Sequence, residues 1–144
     1  MANLTNAGEN KLCDHLAGKA AFPVHSSLYL GLLQNGDADY GDGTIETTQT
    51  EMSSSTNYER VQLTGSLFGT SASSGAITND ADITFPTATS DWSGGGSNTV
   101  TGAAVYTAST SGTCLYWFKF ASTYDIEDGD TFKIASSALT ITSA

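Results

Sequence analysis

Few side chains in this sequence could do covalent chemistry, and their spacing argues against it. The candidate bases are His15 and His25, and the candidate nucleophiles are Cys13, Cys114 and the many hydroxyls. Cys13 and His15 are two apart on an expected helix, where residues i and i+2 point to different faces and cannot form a local pair. His25 follows Phe22 and Pro23 at a loop-to-strand junction with no partner near it in sequence. Both histidines read as surface residues. Gly65-Ser66 and Gly69-Thr70-Ser71 lack the G-x-S-x-G spacing of a nucleophile elbow. Gly94-Gly95-Gly96-Ser97 has no following lysine or helix to hold phosphate.

Metal chemistry fares no better. Two histidines and two cysteines, scattered, do not converge on a zinc site. Asp37, Asp39 and Asp42 alternate in an acidic loop as calcium ligands can. The glycine and glutamate of an EF-hand loop are missing at the required positions, so a solvated turn is the simpler reading. Asp125, Glu127, Asp128 and Asp130 have the spacing of a strand-end turn. Paired carboxylates could cleave glycosides, but these acids cluster in glycine-rich turns. No catalytic residue, cofactor or metal ligand is assigned.

Charge narrows the partners. Fifteen acids against four Lys and one Arg give a net charge of −10. Such a surface repels nucleic acid, and it repels anionic membranes for the same reason. No apolar run approaches transmembrane length and the N-terminus lacks a signal-peptide pattern, so synthesis and assembly in a cytoplasm are expected. In that compartment Cys13 and Cys114 read as two buried free thiols, although sequence leaves open whether they pair.

The elements that carry these residues are mostly strands. Ser and Thr make up roughly a quarter of the 144 residues, with 15 Gly and only two Pro, a composition that favours short strands joined by turns. The exception is the start. Asn6 with Glu9 resembles a capping box, Leu12 and Leu16 share a helical face, and Gly18 suits a C′ position; together they predict a helix from Asn6 to Ala17. Gly8 weakens such a helix by roughly 1 kcal/mol, so packing must help hold it, on the domain or on a neighbouring subunit.

From Ser27 the period becomes two. Leu28, Leu30 and Leu32 oppose Tyr29, Gly31 and Leu33, the pattern of a central strand. A polar stretch, 35–57, is anchored only by Tyr40, Ile45 and Met52 and reads as an arm or partner-binding loop. In 58–63, Glu59, Val61 and Leu63 alternate with Tyr58, Arg60 and Gln62, which reads as a strand with one wetter face. Short strands follow at 76–78 and at 82–85, ended by Pro86. Longer ones span 100–106 and 115–120, and a last pair spans 131–134 and 138–142 after a turn at Asp128-Gly129. Tyr116, Trp117, Phe118 and Phe120 read as core aromatics. About eight strands are predicted, and the fold class is all-β: a two-sheet, jelly-roll-like β-sandwich at 23–144 with an N-terminal helical arm at 1–22.

The opening Met1–Asn6, Glu9–Leu12 and Asp14–Lys19 resembles the start of a family of small tailed-phage virion proteins. Further matches are Ser27–Leu32, Tyr58 with Arg60, Ala76–Asn79, Ile83–Pro86 with Asp91-Trp92, and the Phe132–Ile141 region. The resemblance covers most of the chain and departs from the family pattern at 35–57 and at Cys13. Members are described as capsid cement (decoration) proteins or as tail-fibre-like. The resemblance implies a structural virion protein, first a cement protein on the outer capsid, with the major capsid protein and its own copies in a homotrimer as partners. The alternative is a tail fibre or tail-tip component contacting the host receptor. A third class, a carbohydrate-binding module or hydrolase, requires an exposed Trp92 or Trp117. The residues expected to touch partners are Leu4, Leu12, Leu16, Tyr40 and Ile45.

Overall fold

The computed structural model describes residues 2–23, 28–34, 50–52, 57–68, 74–92 and 99–142. In these residues a strand, β1 (Ala2–Leu4), leads into the helix α1 (Asn6–Leu16). Nine more strands follow: β2 (Tyr29–Gln34), β3 (Thr50–Glu51), β4 (Val61–Gln62), β5 (Ala76–Thr78), β6 (Ile83–Thr87), β7 (Val100–Tyr106), β8 (Cys114–Tyr124), β9 (Thr131–Ile134) and β10 (Thr140–Thr142). A six-stranded antiparallel sheet has the order β1-β8-β7-β2-β3, with β4 also paired to β2; β5 with β10 and β6 with β9 form two separate ribbons. The class is mostly β with one short helix, as expected. One large sheet faced by two ribbons stands where a two-sheet jelly roll was anticipated.

The large sheet is apolar on both faces because its middle strands are. β2 sends Leu30 and Leu32 into the main core with Val100, Ala103, Val105, Phe118, Ile83 and Phe85. Leu33, on the opposite face, packs with Ala104, Cys114 and Trp117 in a smaller cluster. This is the two-sided pattern that the alternating leucines predicted. The run Gly102-Ala103-Ala104 keeps β7 thin enough to be enclosed between its neighbours. Among the described residues no helix is long and apolar enough to cross a membrane.

Three local expectations change. Pro86 lies inside β6 and does not end it; the β6–β9 register shifts between Thr84 and Thr87, and that irregularity spares proline a ladder hydrogen bond. The final two strands do not pair with each other. Asn79, fully buried, directs them apart: its amide donates to Ala81 O and Ala135 O at 2.8 and 2.9 Å and accepts from Leu139 N–H at 2.8 Å. Its backbone N–H donates to Leu139 O, which starts the β5–β10 pairing. The helix cap is Thr5 and not Asn6: the Thr5 hydroxyl accepts from Gly8 N–H at 3.0 Å and donates to Cys114 O at 2.6 Å. The cap therefore also bolts the helix to β8.

Candidate functional site

Gly31 is the origin of the most organised polar site. A Cβ at this position would stand 2.6 Å from Glu51 Oε1 and 3.0 Å from both Tyr58 Oη and a Tyr106 ring carbon. A glycine in the middle of a strand marks such a close approach. Next to it the edge of β2 is shared by two short strands, β4 at Tyr29 and Leu30 and β3 at Leu33 and Gln34. The gap between them leaves Leu32 N–H to be satisfied, and it donates to Tyr58 Oη at 2.7 Å. Tyr58 in turn donates to Glu51 Oε1 at 2.9 Å.

Arg60 completes the arrangement. Its Nε and Nη2 hold the two oxygens of Glu51 at 2.7 and 2.6 Å, a bidentate fork. Nη1 donates to Ala108 O and Ser111 O, both at 2.6 Å, and the guanidinium lies 3.5 Å above the Tyr106 ring centroid. One arginine thus joins β3, the β7–β8 hairpin and the segment preceding β4. The side chain is only 7% exposed, so Tyr58 and Arg60 are enclosed while Gln62 on the same face is exposed. Among the described residues four of its five N–H groups have acceptors, which offsets the cost of enclosing the charge. Asn57 extends the same anchor, accepting from Thr89 N–H and Trp92 Nε1–H and donating to Thr87 O.

Above this clamp lies a cleft of about 590 Å³, lined by Asn57, Glu59, Arg60 and the Ser109–Ser111 turn, with Met52 and Tyr58 at its floor. Its volume suits a small ligand, and its walls offer hydroxyls and one exposed carboxylate, that of Glu59. Glu51 cannot act as a base there, because both oxygens are committed to Arg60 and Tyr58. Burial, then the Glu51 charge, pushes the phenols of Tyr58 and Tyr106 far above their usual range, so both stay protonated. The cleft can bind by hydrogen bonding, and it presents no activated nucleophile.

The other expected residues that the structure describes do not line this cleft. Leu4 is half-buried in β1, opposite Tyr116. Leu12 is 37% and Leu16 78% exposed, both on α1. Tyr40 and Ile45, like His25, the Asp37–Gly43 loop, Gly69-Thr70-Ser71 and Gly94–Gly96, lie outside the described residues. Of the five partner-contact candidates, Leu4, Leu12 and Leu16 are among the described residues and Tyr40 and Ile45 are not. His15 Nδ1 accepts from Phe22 N–H at 3.2 Å and holds the chain that returns from the helix. Cys114 is buried and Cys13 exposed, with no disulfide between them; the expected burial of Cys13 fails because it lies about 140° round the helix from Gly8, the residue seated on β8. Trp92 and Trp117 are 3% and 4% exposed, which removes the stacking face that a sugar-binding module would need. Among the described residues no cluster of three metal-ligating side chains occurs.

Sequence reasoning passes over Glu51 and the enclosure of Arg60. The available signals were Gly31 inside an otherwise apolar strand and the single arginine of the chain. In comparisons with known proteins, residues 3–142 match the family model described as Podophage GP4 fiber I protein gp80. No curated protein matches the chain.

Proposed function

The chain belongs to the Podophage GP4 fiber I protein gp80 family, and on that premise we propose that it is a tail-fibre or tail-tip component that meets the host surface through the cleft above Arg60. Membership makes it a structural, non-enzymatic part of a phage virion, with other virion proteins as its partners. Of the two roles anticipated from sequence, the fibre role gains support from this match. The capsid-cement role, with the major capsid protein as partner, gains none. The observation that carries the reading is the match itself, which spans all but the first two and last two residues.

The cleft gives the contact a place. A recognition surface works best when its groups are held before the ligand arrives, and Arg60, Asn57 and Tyr58 are each fixed by two or more hydrogen bonds. Hydroxyls and a carboxylate on a rigid frame match polar, uncharged groups of a cell envelope. The test is binding of the purified, labelled chain to intact host cells, with Thr110→Trp to fill the cleft. Saturable binding that this substitution abolishes supports the reading. Absence of binding by the wild-type chain, or binding that Thr110→Trp leaves unchanged, overturns it.

A further inference from the structure

β8 outruns the strand beside it. β1 pairs with it only from Tyr116 to Phe118, and β8 continues to Tyr124 with no strand on that edge among the described residues. Along this open end the aromatic core reaches the surface. Phe85 is buried, Phe132 and Phe120 are half-buried, and Tyr124 is 45% exposed. The rings form one chain: Phe85 to Phe132 at 5.9 Å, Phe132 to Tyr124 at 5.4 Å and Tyr124 to Phe120 at 5.9 Å. An exposed tyrosine backed by two packed phenylalanines is a rigid apolar face of the kind that anchors interfaces. The turn from β8 to β9 puts carboxylates beside it. Asp125, Glu127, Asp128 and Asp130 are all exposed, and among the described residues none has an ion-pair partner. The turn is fixed before any partner arrives: Trp92 N–H donates to Ile126 O, Gly129 N–H to Ala88 O and Asp130 N–H to Glu127 O, at 2.9, 2.9 and 3.0 Å. Among the described residues no three acids converge as a metal ion requires, so these four suit separate cationic groups.

We propose that this face docks a basic segment of another virion protein, laid along the open end of β8. Family membership makes other virion proteins the partners, and charge selects the segment. Covering Tyr124 also takes water from the neighbouring carboxylates, a cost that is offset only when cations answer them. A neutral surface would leave the acids with neither water nor partner. A second copy of the chain, at a net −10, would be repelled, as would nucleic acid or an anionic membrane. A segment of lysine or arginine pairs with the acids and stacks its cations on the Tyr124 ring. Lys133, on the neighbouring strand, does not serve from within the chain, because Asp82 holds it at 2.9 Å. The face is distinct from the cleft above Arg60, since none of its residues lines that cleft.

The experiment grows virions with the chain supplied only from a plasmid and counts its copies per particle by quantitative mass spectrometry. Tyr124→Ser and Asp128→Lys should each lower the count about tenfold or more. Tyr124→Phe and Asp128→Glu should keep it. So should Asp14→Lys, which changes the net charge equally but on the helix. Each purified variant should keep the wild-type circular dichroism spectrum and sedimentation behaviour. A full count for Tyr124→Ser overturns the proposal by dismissing the face, and a full count for Asp128→Lys overturns it by dismissing a basic partner. An equal loss with Asp14→Lys also overturns it, because overall charge would then decide. If Tyr124→Ser unfolds, Asp128→Lys, in an exposed turn, decides alone. Altered sedimentation of the folded Asp128→Lys chain would assign the face to contact between copies and so overturn the proposal too. Cell binding by the free chain, which tests the cleft, is measured apart, so either reading fails without the other.

Discussion

Replacing Gly8 by alanine sets local propensity against packing, and the structure says which prevails. An alanine in the first turns of an exposed helix would stabilise it by about 1 kcal/mol relative to glycine. At this position the new Cβ would overlap the carbonyl oxygen of Leu115 and stand 2.8 Å from Leu4 Cδ2. The leucine methyl can turn away, but the carbonyl belongs to β8 and cannot. Relief requires the helix to lift by about 1 Å, which stretches the bonds from the Thr5 hydroxyl to Cys114 O (2.6 Å) and from Thr5 N–H to Leu115 O (3.0 Å) beyond useful length. Losing both costs about 2 kcal/mol, and crowding that is not relieved adds about 1 kcal/mol. After the propensity gain, Gly8→Ala should destabilise by about 2 kcal/mol. Urea unfolding followed by tryptophan fluorescence is the natural assay, since Trp117 pairs with Asn3 in β1. Hydrogen exchange would show lost protection at β1 and the first half of β8. A variant as stable as the wild type or more so, with β1 protection intact, would refute the account of how the helix is seated.

Arg60→Met should cost about 3 kcal/mol in urea unfolding, because it leaves the Glu51 carboxylate, itself only 23% exposed, without its partner; Arg60→Lys, which keeps charge but loses the fork, should fall between. Asn79→Ala should cost about 3 kcal/mol, since it strips a fully buried site of three hydrogen bonds and orphans Leu139 N–H; a loss under half of that would contradict the pinning role. Tyr58 and Tyr106 are held protonated by burial and by Glu51, so folding stability is intact below the ordinary phenol value of about 10 and is lost as pH rises above it. Phenolate absorbance from these two tyrosines should therefore appear together with loss of the folded circular dichroism signal, not before it. The Lys133 bond, then Ser136 N–H, lowers the Asp82 carboxyl, so its support of the β6–β9 ribbon persists above the usual carboxylate range and fades as pH falls through the lowered value; Asp82→Asn should remove that part of the acid dependence measured by thermal unfolding.

Where periodicity was strong, the sequence was enough. The alternation through Leu28–Leu33 identified a strand buried on both faces, and the boundaries read at 76–78, 100–106 and 131–134 are those observed. The helix was legible from Leu12, Leu16 and Gly18, yet its cap was assigned one residue late because Asn6 and Thr5 are both good caps. Strand pairing was not legible. Nothing local in Asn79 tells that its amide will bridge Ala81, Ala135 and Leu139 and so send β9 and β10 to different partners. The clamp escaped for a related reason: a charged residue in an alternating segment reads as a solvent-facing one until its partners, nine and roughly fifty residues away, are known. Pro86 reads as a terminator because a proline within a strand needs an irregular partner, and only the β6–β9 register reveals one.

Gold-labelled antibody against the chain, imaged on intact virions by electron cryomicroscopy, tests the central claim most directly. A structural fibre component predicts label confined to the tail appendages. Label spread evenly over the head, with the tail bare, would contradict it.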